Sequence, residues 1–121
     1  MEKTEQENLI ARVQEKLNEE KWTRAALKSY SINNFEELDE IVEETVKEEL
    51  QDEVKAICDE HIQHTKNSIV ALYLSGIISL SKQMVDDSNI VMLIDIFSDN
   101  RRWNIVEFLC NRILEFGENK Y

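Results

Sequence analysis

The sequence predicts an all-α fold, and three features lead to that class. The 121 residues include no proline and only two glycines, Gly76 and Gly117. Sheet folds need many turns that glycine or proline favours, whereas helical hairpins joined by short polar loops need few. Apolar residues also recur every three or four positions, as they do along one face of a helix. We therefore expect six to seven helices arranged as antiparallel hairpins.

The first half of the chain is predicted to form three helices. They lie at residues 5–19, 22–29 and 35–49. In the first of them, Leu9, Val13 and Leu17 fall on a single apolar stripe. Asn34 is the expected N-cap of the third helix, and Glu37, three residues later, is its expected capping-box partner.

Four further helices are predicted in the second half, at residues 51–65, 68–84, 88–98 and 102–116. The segment from Ile69 to Leu80 is apolar nearly all round, which predicts a central helix covered on several sides. It is shorter than the roughly 20 residues that span a bilayer, so no membrane segment is expected. Gly76 lies in this helix at a cost of ~1 kcal/mol relative to alanine, which a close approach by a neighbouring helix would explain. Gly117 is expected to end the last helix.

The last two helices resemble a loose tetratricopeptide unit, a 34-residue repeat of two helices. Its apolar positions fall on Ile90, Leu93, Ile94 and Phe97, then on Trp103, Val106, Cys110 and Ile113. The pattern predicts tetratricopeptide-like, α-solenoid-type stacking, although helix packing alone can produce the same spacing. Natural arrays end in a polar capping helix, and this chain stops at Tyr121, just past a turn. We therefore expect it to be the amino-terminal fragment of a longer protein.

The charge is unevenly distributed over a single predicted domain, residues 1–121, with acidic helices over 1–50 and apolar helices over 51–117. The net charge is −11. Residues 1–60 carry 18 acidic and 8 basic side chains, against 7 and 6 in residues 61–121. This charge repels a phosphate backbone, so direct nucleic-acid binding is not expected. The acidic half either meets a basic protein partner or only keeps the chain soluble.

No group of residues in the sequence predicts catalysis, a metal site or a cofactor. Cys58, His61 and His64 are close in sequence, but on a helix only two of the three can share a site, whereas zinc needs ligands from about four directions. The carboxylates of the third helix lie among other acids on a solvated face without a histidine beside them. Cys58 and Cys110 fit apolar helical patterns, which predicts buried, reduced thiols in a cytoplasmic protein.

One cationic and aromatic cluster stands out as a protein-binding candidate. The candidate residues are Trp22, Arg24, Lys28 and Tyr30, together with the terminal Tyr121. Aromatic and arginine side chains often dominate binding energy at protein interfaces. The alternative is structural, with Trp22 and Tyr30 anchoring a short helix to the core. For the similar Arg101, Arg102 and Trp103 we expect a buried tryptophan and solvated arginines.

Four stretches of the sequence resemble a known family. They are EKWTRAA at 20–26, SINNFEELDEI at 31–41, DEHIQHTKNS at 59–68 and FSDNRRWNIVEF at 97–108. Together they resemble the amino-terminal extension of the unusually long Gre-type transcription elongation factors of spirochaetes. In that family the extension precedes a coiled-coil hairpin with acidic tip residues, which enters RNA polymerase and helps cleave backtracked RNA. This sequence shows no such hairpin, so the resemblance implies none of those catalytic residues here.

The resemblance implies a non-enzymatic docking role in the transcription machinery. The implied partner is RNA polymerase or an associated factor. Two other functions remain open from the residues alone, a stand-alone cytoplasmic helical adaptor and a dimerisation domain. The oligomeric state is not predicted.

Overall fold

The computed structural model describes residues 2–19, 28, 30–65, 68–81 and 88–118. These residues form six α-helices and no strand, which confirms the all-α class. The helices are α1 (Glu2–Glu19), α2 (Ile32–Lys47), α3 (Gln51–His64), α4 (Ile69–Ser81), α5 (Ser88–Asp99) and α6 (Trp103–Glu118). The helix predicted at 22–29 lies outside the described residues except for Lys28, which is helical. None of the described helices is long and apolar enough to cross a bilayer.

The start of α2 differs from the prediction, because Ser31 rather than Asn34 precedes the first helical residue. The backbone of Ser31 is extended, with φ −134° and ψ 168°. Its N–H donates to Oδ1 of Asn34 at 2.9 Å, and the N–H of Asn34 donates to the Ser31 carbonyl oxygen at 3.1 Å. Asn34 therefore closes the capping box from inside the first turn, which is the role that we expected of Glu37. The predicted N-cap was wrong by three residues.

The other helix ends lie close to their predicted positions, with one clear exception. Helix α6 continues through Gly117 to Glu118, so the expectation that Gly117 ends the helix was wrong. No described glycine has a positive φ. The predicted end of the central helix falls on residues 82–87, outside the described part of the chain.

Two non-glycine residues in the left-handed region make the tight turns of the fold. Glu49, between α2 and α3, has φ 58°, and Arg101, between α5 and α6, has φ 59°. In each turn the residue after it donates its N–H back to a carbonyl oxygen in the last helical turn. Leu50 bonds to Thr45 at 2.9 Å, and Arg102 bonds to Phe97 at 2.9 Å. These are Schellman motifs, and they explain how the chain turns twice without using glycine.

Helix α4 is the centre of the fold, as its apolar sequence predicts. Every residue from Ile69 to Leu80 is buried, and the helix contacts each of the other five described helices. A Cβ atom placed on Gly76 would lie 2.5 Å from Cδ1 and 2.6 Å from Cγ1 of Ile90 on α5. The predicted close approach at Gly76 is therefore confirmed, and α5 is the helix that makes it.

Contacts between the helices define their directions. Arg12 and Lys16 of α1 pair with Glu44 and Glu37 of α2 at 3.3 and 3.1 Å, so these two helices are antiparallel. Phe35 of α2 lies against Phe108 of α6, with ring centroids 5.5 Å apart. Four residues further along both helices, Asp39 pairs with Arg112. Helices α2 and α6 therefore run in the same direction.

The buried face of α6 is not the one that the repeat pattern predicts. Ile105 and Leu109 are fully buried, whereas Trp103 is 60% exposed. Cys110 is also exposed. The expectations that Trp103 and Cys110 are buried were therefore wrong. Apolar residues occupy about half the circumference of this helix. Periodicity alone therefore does not identify which of them face the core. Tetratricopeptide-like stacking stays a prediction.

Candidate protein-interaction surface

The cysteine and histidines of α3 do not converge on one point. Cys58 is fully buried, His61 is half-buried and His64 is exposed. Burial raises the pKa of the Cys58 thiol to about 12, so this sulfur is neither a ready metal ligand nor a ready nucleophile. Among the described residues no three His, Cys, Asp or Glu side chains are placed to hold a metal ion. The two histidines instead line an open groove of about 330 Å³ between α1 and α3.

A polar network crosses the fold from α2 through α4 to α6. The Tyr73 hydroxyl donates to Oδ1 of Asp39 at 2.6 Å, and the Arg112 guanidinium pairs with Oδ2 of the same carboxylate. Burial raises the pKa of Asp39 above its ordinary value although Tyr73 and Arg112 oppose the shift. Burial and the bond to Asp39 also raise the pKa of Tyr73. Arg112 further lies 5.1 Å from the ring centroid of Phe108. These groups satisfy one another and tie three helices together.

A second polar network joins α3, α4 and α5. Asp59 accepts a hydrogen bond from the Ser75 hydroxyl at 2.5 Å and an ion-pair contact from Lys55 at 2.7 Å. Asn89 of α5 donates to the Ser75 oxygen at 3.1 Å. In the sequence, Asp59 is only a polar residue next to Cys58. The structure gives it a role that periodicity cannot predict, as the partner of a buried serine.

The candidate binding residues are placed in different ways. Trp22, Arg24 and Tyr121 lie outside the described part of the chain. Lys28 is exposed. Tyr30 is half-buried, with its ring centroid 5.1 Å from that of Phe35 and 6.0 Å from that of Phe97. Its ring thus packs in the aromatic core, while a binding role for the four-residue cluster stays a prediction.

Arg102 brings two basic and aromatic motifs of the sequence together. Its guanidinium donates to the carbonyl oxygen of Lys28 at 2.6 Å and to that of Tyr30 at 2.5 Å. Arg102 is half-buried, so the expectation that both arginines are simply solvated was wrong for this one. Lys28, Arg101, Arg102 and Trp103 therefore meet at one end of α6, and we call this group the basic corner. Nothing local in the sequence predicts it, because its two segments lie more than 70 positions apart.

An apolar stripe runs along the solvent side of α6 from that corner. Trp103, Cys110 and Leu114 are spaced by seven and four residues, which places them within about 40° of one another around the helix. Exposed Glu107 lies on the same side of α6, about 40° from Trp103. Trp103 is 60% and Leu114 61% exposed, and Cys110 is exposed as well. We call these three residues the outer stripe. Half-buried Val106 and Ile113 adjoin it on the side of the core.

The basic corner also holds the exposed cations Lys28 and Arg101. Four other described cations form ion pairs within the fold: Arg12, Lys16, Lys55 and Arg112. The exposed cations Lys28, Lys47 and Arg101 form no ion pair in the part of the chain that the structure describes. Two of these three lie at the corner. Two exposed cations therefore adjoin the outer stripe on a chain of net charge −11.

Comparison with known proteins supports the predicted resemblance. Over 94 residues the chain is 56% identical to the GreA-associated domains protein of Treponema pallidum, covering 78% of the chain and 14% of that protein. Over 105 residues it is 39% identical to the transcription elongation factor GreA of Borreliella burgdorferi, covering 87% of the chain and 12% of that protein. No protein-family model matches the chain, and no solved structure does.

Both relatives are much longer than this chain of 121 residues. The chain spans only 12–14% of their lengths, so their whole activities do not transfer to it directly. The alignments nevertheless cover most of the chain at high identity, and both relatives carry the GreA name. The predicted resemblance is confirmed, and the chain is a homologue of a short segment of the long GreA-associated proteins of spirochaetes.

Proposed function

We propose that the chain is a non-catalytic helical module that binds protein within a Gre-type transcription elongation factor. The names of its relatives support the link to transcription elongation. The outer stripe supports the binding role, because Trp103 and Leu114 leave most of their apolar surface in water. Large exposed apolar side chains arranged contiguously are typical of interaction surfaces.

The proposed partner is RNA polymerase or a factor associated with it. In this proposal the module lies at the amino-terminal end of the longer protein and holds that protein against the transcription complex. The RNA-cleavage chemistry then belongs to other parts of the longer protein. The two polar networks centred on Asp39 and Asp59 support a structural role for the half-buried carboxylates, since each is bonded to a neighbouring helix.

A binding and cleavage assay with purified components tests this function. The labelled 121-residue chain is titrated with RNA polymerase, and it is separately added to a backtracked elongation complex whose RNA is analysed by length. We expect saturable binding and no stimulation of cleavage. Trp103→Ala should weaken binding about tenfold or more if this residue anchors the interface.

Val46→Ala is the matched control, because Val46 is also exposed but lies on α2, away from the outer stripe. It should bind like the unmodified chain. Cleavage stimulated by the chain alone would refute the non-catalytic assignment. Absence of binding, or equal binding by Trp103→Ala, would refute this surface as the polymerase contact.

A dimerisation domain is the second candidate function, and the same stripe favours it. Leu114 is 61% exposed near one end of α6, and Trp103 is 60% exposed at the other end. Two copies with antiparallel α6 helices would therefore place Trp103 of each copy against Leu114 of the other. Light scattering at two protein concentrations separates the candidates. A mass that doubles with concentration supports the dimer, and a constant monomer mass supports the docking module.

A further inference from the structure

We propose that the basic corner and the outer stripe form one docking surface for an acidic amphipathic helix of a partner protein. The inference rests on the proposed function and adds the chemistry of the partner segment. Trp103 belongs to both the basic corner and the outer stripe. The partner helix would lay its apolar side along α6 and place acidic residues beside Lys28 and Arg101.

The dimensions of the stripe fit a helix. Trp103 and Leu114 are eleven residues apart on one face, a distance of about 16 Å or three helical turns. A partner helix of similar length presents three or four apolar side chains at the i, i+4 and i+7 positions of one face. The stripe is also bordered by half-buried Val106 and Ile113, which extend the apolar contact toward α5.

Charge favours an acidic partner at the Trp103 end of the stripe. Lys28 and Arg101 are exposed there and form no ion pair with any residue that the structure describes, and the amino terminus of α6 adds a partial positive charge. At the opposite end, Glu115 is exposed and pairs with Arg112 at 3.1 Å, so that end is not positive. Because exposed Glu107 lies one turn further along α6, the preference for acidic residues applies only to the end of the partner helix beside Lys28 and Arg101.

The acidic character of the whole chain does not cancel this local preference. Charges separated by more than about 8 Å are largely screened at physiological ionic strength. The groups that decide binding are therefore those in contact with the partner. At the corner those groups include the cations Lys28 and Arg101, although the chain as a whole carries −11.

A peptide-binding experiment tests the inference on the 121-residue chain. The probes are three fluorescein-labelled synthetic helical peptides. The first has a leucine stripe with glutamates clustered at one end, the second has the same stripe with lysines at that end, and the third is the glutamate peptide with its leucines replaced by glutamines. Fluorescence anisotropy gives their dissociation constants. We expect the first peptide to bind about tenfold or more tightly than either of the others.

Three variants of the chain make the test specific. Arg101→Gly removes a corner cation at a left-handed position where glycine is favourable, so the fold is retained while the glutamate peptide binds about threefold more weakly. Glu49→Gly is the matched control, since it makes the same backbone change in the other turn and should leave binding unchanged. Trp103→Ala should weaken binding by about tenfold or more.

Three results would overturn the inference. The first is equal or tighter binding of the lysine peptide, and the second is displacement of the glutamate peptide by a single-stranded oligonucleotide. The third is a concentration-dependent dimer that Leu114→Lys abolishes, which would assign the surface to a second copy of the chain. The first two results do not bear on whether RNA polymerase is bound, so the proposed function can survive them, whereas the third would also favour the dimerisation domain.

Discussion

The hydroxyl of Tyr73, on the central helix, donates a 2.6 Å hydrogen bond to Oδ1 of Asp39 on α2. The other carboxylate oxygen pairs with Arg112 of α6. Replacing Asp39 with alanine would leave a phenol and a guanidinium facing each other without their acceptor. We expect Asp39→Ala to lower the free energy of unfolding by about 2–3 kcal/mol, measured by urea denaturation. Asp39→Asn keeps one acceptor oxygen and should lose clearly less; equal losses would contradict the prediction.

The pH dependence of stability gives a second test of the same carboxyl group. Burial raises the pKa of Asp39 in the folded chain above its ordinary value of 3.8. The folded state therefore binds the proton more tightly than the unfolded state does. The resulting stabilisation is fully present below pH 3.8 and is lost as pH rises through the folded pKa.

The difference in unfolding free energy between the native chain and Asp39→Asn isolates this group, because the other carboxyl groups are common to both. We expect the difference to move in favour of the native chain as pH falls from 7 to 4. Movement in the opposite direction would show that the ion pair with Arg112 outweighs burial and lowers the pKa.

Gly76→Ala should destabilise the fold although alanine is the better helix former. The new methyl group would overlap Ile90, which is fully buried and cannot swing into solvent. Overpacking of this kind costs about 1–3 kcal/mol, against a gain of about 1 kcal/mol in helix propensity. Thermal and urea unfolding should show a net loss of up to about 2 kcal/mol. Ile90→Val, which removes the atom of closest approach, should recover part of the loss in the double variant, and strict additivity would argue against the clash.

The two turns at Glu49 and Arg101 should both be stabilised by glycine. Each residue has a positive φ near 60°, where a β-carbon is unfavourable. Glu49→Gly and Arg101→Gly are each expected to raise the unfolding free energy by about 0.5–1 kcal/mol. Differential scanning calorimetry would record a higher melting temperature for both. A lower melting temperature for Arg101→Gly alone would show that its side chain contributes more to the fold than its backbone costs.

The two thiols should differ sharply in reactivity. Cys58 is buried with a pKa of about 12, whereas Cys110 is exposed on α6. At pH 8 only about one Cys58 sulfur in ten thousand is ionised, and the thiolate is the reactive form. Titration with Ellman's reagent should therefore find one fast thiol in the native chain and two in guanidinium chloride. Cys110→Ser should abolish the fast reaction, and a fast thiol that remained would contradict the assignment.

The features that were predictable from sequence are those set by local composition. The central position of α4 follows from a segment with almost no polar face, and the close contact at Gly76 follows from a glycine in the middle of a helix. The first turn of α2 was misplaced because Ser31 and Asn34 are both good capping residues and a single sequence does not rank them. The left-handed turns at Glu49 and Arg101 carry no sequence signal, since neither residue is typical of that backbone conformation.

The candidate surface was less predictable, because it depends on which part of an apolar helix faces the core. Ile105 and Leu109 lie inward, while Trp103 and Cys110 lie outward, and both sets have helical spacing. The basic corner depends on Arg102 reaching a backbone oxygen 74 positions away. Pairing between segments so distant is decided by the packed fold rather than by any local pattern.

Helix α4 contacts every other described helix, and this arrangement determines how the protein unfolds. A linear array of repeats can lose a terminal unit and keep the remainder folded, because each unit touches only its neighbours. Here, detaching any one helix uncovers a strip of α4, whose residues are mostly apolar. Unfolding that begins at any outer helix should therefore expose α4. We expect the described helices to unfold in one cooperative transition.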